Sequence, residues 1–179
     1  MSLADLKYQQ CCERGSDIHE HLPVLKKYAS ECDHITEMGV RGIVSTWAFL
    51  AGKPKKMISY DINNPAEYGA NINEVYDNAG DTDFKFIQAN VSDIEIEETD
   101  LLFLDTLHVY RQLKKELELH SAKTRKYIIM HDTQSFGVRG ADGGEGLRRA
   151  VNEFLESDNN WHIKEDLTNN NGLTILSRL

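Results

Sequence analysis

The chain has 179 residues, of which 40% are hydrophobic and 27% are charged, and its formal net charge is −9 at pH 7. This length and composition are typical of one globular domain with a substantial buried core. An acidic chain neutralises phosphates poorly, so the charge argues against nucleic acid as the main partner. Three cysteines, two of them adjacent, form neither a disulfide framework nor a metal knuckle, which favours a reducing cytoplasmic setting. No apolar run reaches the ~20 residues of a membrane span, and no signal peptide is recognisable, so we expect no membrane association.

The first part of the chain, residues 1–32, is predicted to be an N-terminal arm followed by a helix. Residues up to Gly15 are polar and fit either a short helix or a loose arm. Asp17, with Glu20 three residues later, has the pattern of a capping box. Apolar residues then recur at helical spacing as far as Cys32, so the predicted helix covers residues 17–32.

The segment from Asp33 to Asp61 has the pattern of a strand, a glycine turn, a helix and a second strand. The predicted strands are residues 34–38 and 57–61, and the helix between them covers residues 43–51. An acidic residue about 20 positions beyond a glycine turn forms the nucleotide half-site of a doubly wound sheet. The helix N-terminus offers free N–H groups to an anion, and Asp61 accepts hydrogen bonds from ribose hydroxyls. A ligand containing a ribose is therefore predicted.

Strands and helices go on alternating after this unit, which predicts a parallel sheet. The further predicted strands are residues 84–89, 100–105 and 126–132, and the further helices are residues 65–80, a helix beginning near residue 109, and a helix beginning at residue 147. The last two strands, 161–167 and 173–177, flank an Asn-Gly turn and should form an antiparallel hairpin. The predicted fold is α/β, with residues 1–179 as one domain. Its doubly wound, Rossmann-like sheet has about seven strands, mostly parallel, with a C-terminal antiparallel hairpin.

Residues 135–146 are rich in glycine and show no apolar period, which predicts a mobile loop. A loop of this kind can close over a bound substrate and exclude water.

Polar side chains stand at the carboxyl ends of the predicted strands, where ligands bind in an open parallel sheet. Strand ends are often polar in any protein, but a succession of such residues favours a functional edge. The side chains are Glu37, Asp61, Asn90, Asp105, His131 and Asp132.

Asp105 and Asp132 would lie about 5 Å apart if their strands are neighbours. Carboxylates at that distance repel each other unless a proton or a cation lies between them. Their oxygens suit Mg²⁺ or another hard divalent ion, and His131 would add a nitrogen for a softer metal. Consecutive strand residues point to opposite faces, so His131 and Asp132 ligate together only if the strand has already ended. His108 is placed to act as a general base, or else is a loop or capping histidine.

The chain lacks the signatures of nicotinamide-dependent enzymes. The turn at residues 39–42 is not GxGxxG, and the match of Tyr110 and Lys114 to the YxxxK of short-chain dehydrogenases has no partner serine. A nicotinamide-dependent oxidoreductase and a cofactor-binding protein without catalysis remain the alternatives.

The order of these motifs resembles the class I S-adenosylmethionine-dependent methyltransferases. More narrowly, residues 16–179 are similar to the branch with the cephalosporin hydroxylase-like and the macrolide or sugar O-methyltransferases. The similarity rests on Glu37-Met38-Gly39, Ser45-Thr46, Asp61, Asp105-Thr106-Leu107-His108-Val109-Tyr110 and His131-Asp132-Thr133.

This resemblance implies an S-adenosylmethionine cofactor and O-methylation of a small-molecule hydroxyl, on a sugar or a natural product. Assistance from a metal is expected, and a metal-free methyltransferase is the nearest alternative within the class. The implied site residues are Glu37, Gly39 and Ser45 at the methionine end, Asp61 at the ribose, Asn90 at the adenine, Asp105, His131 and Asp132 at the metal, and His108 or Asp105 as the proton acceptor. One departure is that the family's second turn glycine falls where Ile43 stands. The short chain leaves little room for a substrate domain, so a second copy of the chain completing the pocket is also considered.

Overall fold

The computed structural model describes residues 2–179, which form one sheet of seven strands with helices packed against it. The strands are β1 His34–Met38, β2 Lys56–Asp61, β3 Asp83–Gln88, β4 Thr99–Leu104, β5 Thr124–His131, β6 Trp161–Leu167 and β7 Leu173–Arg178. The helices are α1 Leu3–Glu13, α2 Leu22–Ala29, α3 Val44–Ala51, α4 Ile72–Asn78, α5 Tyr110–His120 and α6 Leu147–Ser157. Over these residues, no helix is both long and apolar enough to cross a membrane.

The strand order is β3-β2-β1-β4-β5-β7-β6, in which β1 to β5 are parallel and β7 runs antiparallel to both β5 and β6. The order reverses direction between β1 and β4, and the crevice at such a reversal is where open α/β sheets bind ligands. Met38 pairs with Leu104, so the residues that follow these two strands are neighbours at the crevice. The predicted doubly wound sheet with a C-terminal antiparallel hairpin is confirmed.

Side chains alternate between two apolar cores, one on each face of the sheet. Leu101 and Phe103 of β4 point into the core formed with α1 to α4, whereas Leu102 and Leu104 point into the core formed with α5 and α6. All six residues of β4 are buried, as expected for a central parallel strand covered on both faces.

The N-terminal residues form a capped helix. The hydroxyl of Ser2 accepts a hydrogen bond from the Asp5 N–H, and the Asp5 carboxylate accepts one from the Ser2 N–H, which completes a capping box. The buried Ala4 joins the core beside α2 and α3, so this segment is part of the domain rather than a loose arm.

The helix predicted for residues 17–32 is wrong in its first part. A 3₁₀ turn covers His19–His21, and α2 begins only at Leu22. Asp17 and Glu20 do not form a capping box, because the Glu20 N–H donates instead to the side chain of Asn170 in the distant C-terminal hairpin. A tertiary contact has thus replaced the local one.

The helix predicted for residues 65–80 is also wrong, because it is two shorter elements. A 3₁₀ turn at Pro65–Tyr68 ends at Gly69, whose φ of 75° lies in the left-handed region. Asn71 then caps α4 by accepting a hydrogen bond from the Asn73 N–H.

The glycine-rich segment 135–146 packs closely against the rest of the domain, which the absence of an apolar period in its sequence does not predict. An added Cβ at Gly137 would lie 2.3 Å from the Thr133 carbonyl oxygen, and one at Gly146 would lie 2.2 Å from the Gly137 carbonyl oxygen. The Ala141 N–H donates to the His108 carbonyl at 2.8 Å. The glycines here permit close backbone packing, and they hold the segment against the strand-end crevice.

Candidate active site

The turn after β1 brings two chain segments into contact at the crevice. Gly39 has a φ of 92°, and an added Cβ would lie 1.9 Å from the carbonyl oxygen of Asp105. The Gly39 N–H donates to the Tyr60 carbonyl, and the Asp105 N–H donates to the Met38 carbonyl, both at 2.9 Å. Only glycine therefore fits at position 39, and the close approach places Asp105 directly against the turn.

After Gly39, the turn has a positive φ at Arg41 and again at Ile43, but not at Gly42. Ile43 has a φ of 63° and is buried at the start of α3, whereas Gly42 has an ordinary φ and meets only the Val44 side chain, at 4.0 Å. A β-branched residue is therefore held in a strained left-handed conformation at the start of α3.

Asp61 ties the turn to the end of β2. Its Oδ2 accepts hydrogen bonds from the N–H groups of Val40 and Arg41 at 2.8 and 2.9 Å, and its Oδ1 accepts one from Asn63 at 2.9 Å. Because a carboxylate accepts about four hydrogen bonds, one acceptor position is left for a ligand hydroxyl.

Two adjoining cavities open at the crevice. The larger has a volume of about 480 Å³ and is lined by residues that include Asp61, Asn90, Leu107 and Gln112. The smaller has a volume of about 110 Å³ and is lined by residues that include Asp17, Ser45, His108 and Asp132. Both cavities are bounded by Gly39, Arg41, Asp105 and Thr106, so one elongated ligand can extend through both.

Glu37 is not among the residues that line either cavity. It is fully buried, and its carboxylate accepts hydrogen bonds from Ser45 at 2.6 Å, from Ser59 at 2.6 Å and from Thr46 at 2.9 Å. Burial raises the pKa of Glu37 to about 7, against the opposing effect of the three hydroxyls. Glu37 therefore positions Ser45, which does line the smaller cavity.

A cluster of two carboxylates and two imidazoles occupies the ends of β4 and β5. Nε2 of His108 lies 2.9 Å from Oδ2 of Asp132 and 3.4 Å from Oδ1 of Asp105. Nδ1 of His131 lies 3.5 Å from Oδ1 of Asp105 and 3.3 Å from Oδ2 of Asp132. β5 ends at His131, and Asp132 has a φ of 60°, which turns its side chain toward the same side as His131. The strand has therefore ended before Asp132, as is required for His131 and Asp132 to bind the same metal ion.

The carboxylates and imidazoles of this cluster shift one another's pKa values. Burial acts to lower the pKa values of the histidines, but the two carboxylates outweigh it and raise them to about 9 for His108 and about 10 for His131. Burial acts to raise the pKa values of Asp105 and Asp132, but the imidazoles outweigh it and hold both below their ordinary range. When no metal ion is bound, both imidazoles are therefore protonated at neutral pH, beside two ionised carboxylates.

The cluster has a donor set that fits a divalent cation. One ligand atom each from Asp105, His131 and Asp132 lies within 4.8 Å of the others. Nε2 of His131 lies 3.2 Å from the Asn170 carbonyl oxygen, to which it donates when protonated. Nδ1 of His131 is buried, has no hydrogen-bond partner among residues 2–179, and faces the carboxylates. A ring nitrogen fixed by a carbonyl on its other side is a common arrangement for metal-binding histidines.

Two neighbours of the cluster were not predicted from the sequence. The carboxylate of Glu116, buried in α5, accepts hydrogen bonds from Thr106 at 2.5 Å and from Gln112 at 2.8 Å, beneath the larger cavity. Burial raises the pKa of Glu116 to about 7. The ring of Phe136 stacks on His108 with centroids 4.8 Å apart. Glu116 lies in an amphipathic helix that gives no sign of a buried acid, and Phe136 lies in the segment expected to be a mobile loop.

Comparison with known proteins places this fold among methyltransferases. No protein-family model matches the sequence, and no curated protein matches it. A methyltransferase from Podospora anserina, bound to S-adenosylhomocysteine, is 17% identical with a TM-score of 0.66 over 98% of this chain and 87% of that one. An O-methyltransferase from Bacillus cereus, in complex with S-adenosylhomocysteine, is 12% identical with a TM-score of 0.66 over 98% and 90%. An O-methyltransferase of tomaymycin synthesis from Streptomyces achromogenes, in complex with S-adenosylmethionine, is 13% identical with a TM-score of 0.65 over 96% and 89%.

These similarities extend over nearly the whole chain. The protein therefore has the class I methyltransferase fold, and the resemblance seen in the sequence is confirmed at the level of the fold.

Proposed function

We propose that this protein is an S-adenosylmethionine-dependent O-methyltransferase that acts on a hydroxyl of a small molecule, such as a sugar or a natural product, with assistance from a divalent metal. The observation that carries the proposal is the carboxylate–histidine cluster, which borders the cavity beside the Gly39 turn at the topological switch point. The similar solved structures named above, which hold S-adenosylmethionine or S-adenosylhomocysteine, support it.

The two cavities suit the parts of this cofactor. The remaining acceptor position of Asp61 would bind a ribose hydroxyl, and the part of the larger cavity beside Asn90 would take the adenine. The amino-acid end would then extend past Gly39 into the smaller cavity, alongside Ser45. This course brings the sulfonium methyl group close to Asp105.

Asp105, His131 and Asp132 would hold the metal, either Mg²⁺ or a softer divalent ion that accepts a nitrogen ligand. A metal there supplies Lewis acidity, which lowers the pKa of a bound hydroxyl and orients it.

His108 is the residue that would accept the hydroxyl proton. The pKa of His108 is raised by Asp105 and Asp132, so a cation held by those carboxylates removes the cause and leaves a neutral imidazole. In the transfer, the acceptor oxygen forms a bond to the methyl carbon as the carbon–sulfur bond breaks, and the cofactor leaves as a neutral thioether. The hydroxyl proton passes to Nε2 of His108, and the protein contributes mainly alignment and proton transfer.

Incubation with methyl-labelled S-adenosylmethionine, Mg²⁺ or Mn²⁺, and a panel of sugar, phenol and polyketide hydroxyls tests this proposal. We expect label to pass to one acceptor class with the wild type and at least about 100-fold less with Asp132→Asn, because the general-base and metal contributions are lost together. Asparagine tolerates the left-handed backbone at position 132, so the fold is kept. Asp81→Asn, at an exposed site away from the crevice, is the control.

The titration of S-adenosylhomocysteine accompanies this assay. Asp132→Asn should bind it about as well as the wild type does. A comparable loss of cofactor affinity and turnover would contradict the role given to Asp132, and tight NAD binding without S-adenosylhomocysteine binding would favour an oxidoreductase. Binding without transfer to any acceptor would favour a cofactor-binding protein without catalysis.

The preference for a small-molecule acceptor over nucleic acid rests on the acidic net charge. The cytoplasmic location and a homo-oligomer that completes the pocket stay predictions.

A further inference from the structure

The mouth of the smaller cavity carries a pair of opposite charges that the proposed reaction does not use. We infer that Arg41 and Asp17 are specificity-determining residues for a zwitterion: Arg41 binds the α-carboxylate of the ligand's amino-acid end, and Asp17 binds its α-ammonium group. The inference rests on the proposed function, because it identifies the side chains that recognise this part of the cofactor.

The two side chains come from separate segments and meet across the opening. Arg41 lies in the turn after β1, Asp17 lies in the segment before α2, and Nη1 of Arg41 is 3.1 Å from Oδ2 of Asp17. Their side chains are 72% and 50% exposed. An ion pair this exposed contributes little to stability, so a ligand that offers both opposite charges can replace it at small cost.

The rest of the smaller cavity cannot bind a zwitterion in this way. Among the described lining residues, Arg41 is the only lysine or arginine, and the other acids, Asp105 and Asp132, belong to the cluster assigned to the metal. The Ser45 hydroxyl donates to Glu37, which is itself buried and saturated with hydrogen bonds. Arg41 is therefore the positively charged side chain of this lining that stands apart from the cluster and is available to pair with an α-carboxylate.

The backbone fixes Arg41 at the right place for this role. Its N–H donates to Asp61, and Arg41 itself borders both cavities, so it stands between the proposed ribose site and the smaller cavity. Its side chain is 72% exposed and reaches Asp17, so the guanidinium is accessible from solvent beside the smaller cavity.

The experiment compares S-adenosylhomocysteine with 5′-methylthioadenosine, which has the same nucleoside but no amino-acid end, by calorimetric titration. We expect Arg41→Gln and Asp17→Asn each to weaken S-adenosylhomocysteine binding about 10- to 100-fold, the usual effect of losing a charge-assisted hydrogen bond. Binding of 5′-methylthioadenosine should stay within about twofold, because no contact to it is lost. Arg111→Gln and Asp81→Asn, at exposed positions outside both cavities, are the matched controls.

The outcomes separate this inference from the proposed function. Failure of the wild type to bind S-adenosylhomocysteine would overturn the proposed function, and this inference with it. Wild-type binding that neither Arg41→Gln nor Asp17→Asn weakens would overturn this inference alone. Equal loss of affinity for both ligands would also overturn it, because that result indicates a general change in the turn.

Discussion

At the scale of single residues, Glu37 is the clearest case of a buried acid whose hydrogen-bond partners are hydroxyls and not a positively charged group. Its pKa is raised from 4.5 to about 7 in the folded protein. The folded state therefore binds this proton more tightly than the unfolded state does. Ionisation of Glu37 costs stability as the pH rises from about 4.5 to about 7, and the cost stays constant above that range.

Glu37→Gln should remove this pH dependence. The free energy of unfolding of the variant, relative to the wild type, should rise by on the order of 3 kcal/mol between pH 4.5 and pH 8, as the size of the pKa shift implies. Urea unfolding at a series of pH values measures it, with the exposed Glu13→Gln as the control. Parallel curves for Glu37→Gln and the wild type would show that Glu37 is not buried as an acid.

Substitution by alanine should affect stability and ligand binding strongly at Gly39 and hardly at all at Gly42. Gly39→Ala places a Cβ against the Asp105 carbonyl and demands a positive φ, so we expect loss of S-adenosylhomocysteine binding and about 2–4 kcal/mol of stability. Gly42→Ala meets only Val44 and should change stability by less than about 0.5 kcal/mol. Thermal unfolding and calorimetric titration of both variants check this, and similar behaviour of the two would contradict the geometry given for the turn.

At the scale of elements, the turn between β6 and β7 serves as a clamp. Asn170, Asn171 and Gly172 all have a positive φ, as the predicted Asn-Gly turn requires. The Asn171 carbonyl accepts hydrogen bonds from the N–H groups of Gln134 and Ser135, and the Asn170 carbonyl lies beside His131. The C-terminal hairpin thereby holds the segment that follows β5.

Gly172→Ala should release this clamp. Its φ is 94°, and an added Cβ would lie 2.4 Å from the Gln134 backbone nitrogen, so we expect a loss of about 2–4 kcal/mol. Gly15→Ala, where nothing lies within 4 Å of the new Cβ, should change stability by less than about 0.5 kcal/mol. Urea unfolding distinguishes the two. An equally small effect at position 172 would mean that the turn does not pack against Gln134.

The same hairpin explains why some elements were mispredicted. The pattern of Asp17 and Glu20 is a sound local signal, yet the partner of the Glu20 N–H is Asn170, 150 residues away. Sequence spacing cannot reveal a contact of that kind. The glycines of residues 135–146 were likewise interpreted as a sign of mobility, because whether a glycine serves flexibility or close packing depends on what lies beside it.

At the scale of the whole molecule, hydrophobic patterning was sufficient to predict the sheet. Alternation of strands and helices, an apolar run such as Leu101 to Leu104, and one Asn-Gly turn determine the layers and the strand directions. The carboxyl ends of parallel strands then bring Asp61, Asp105 and Asp132 to one edge without any knowledge of their contacts.

The finer organisation of the site depends on tertiary contacts, which the spacing of residues along the sequence does not reveal. Glu37 was predicted at the crevice but lies beneath it, because strand residues alternate between the faces and its partners are the hydroxyls of Ser45, Thr46 and Ser59. Likewise, the amphipathic pattern of α5 does not indicate that the acid Glu116 is buried.

Calorimetric titration of the protein with S-adenosylhomocysteine, with and without Mg²⁺ or Mn²⁺, and in parallel with NAD, tests the methyltransferase proposal most directly. We predict micromolar binding of S-adenosylhomocysteine and none of NAD, because the proposed ribose site at the Gly39 turn and Asp61 lacks the GxGxxG that a pyrophosphate requires. Tight NAD binding with no S-adenosylhomocysteine signal would contradict the methyltransferase assignment and make the Asp61 site part of a dehydrogenase.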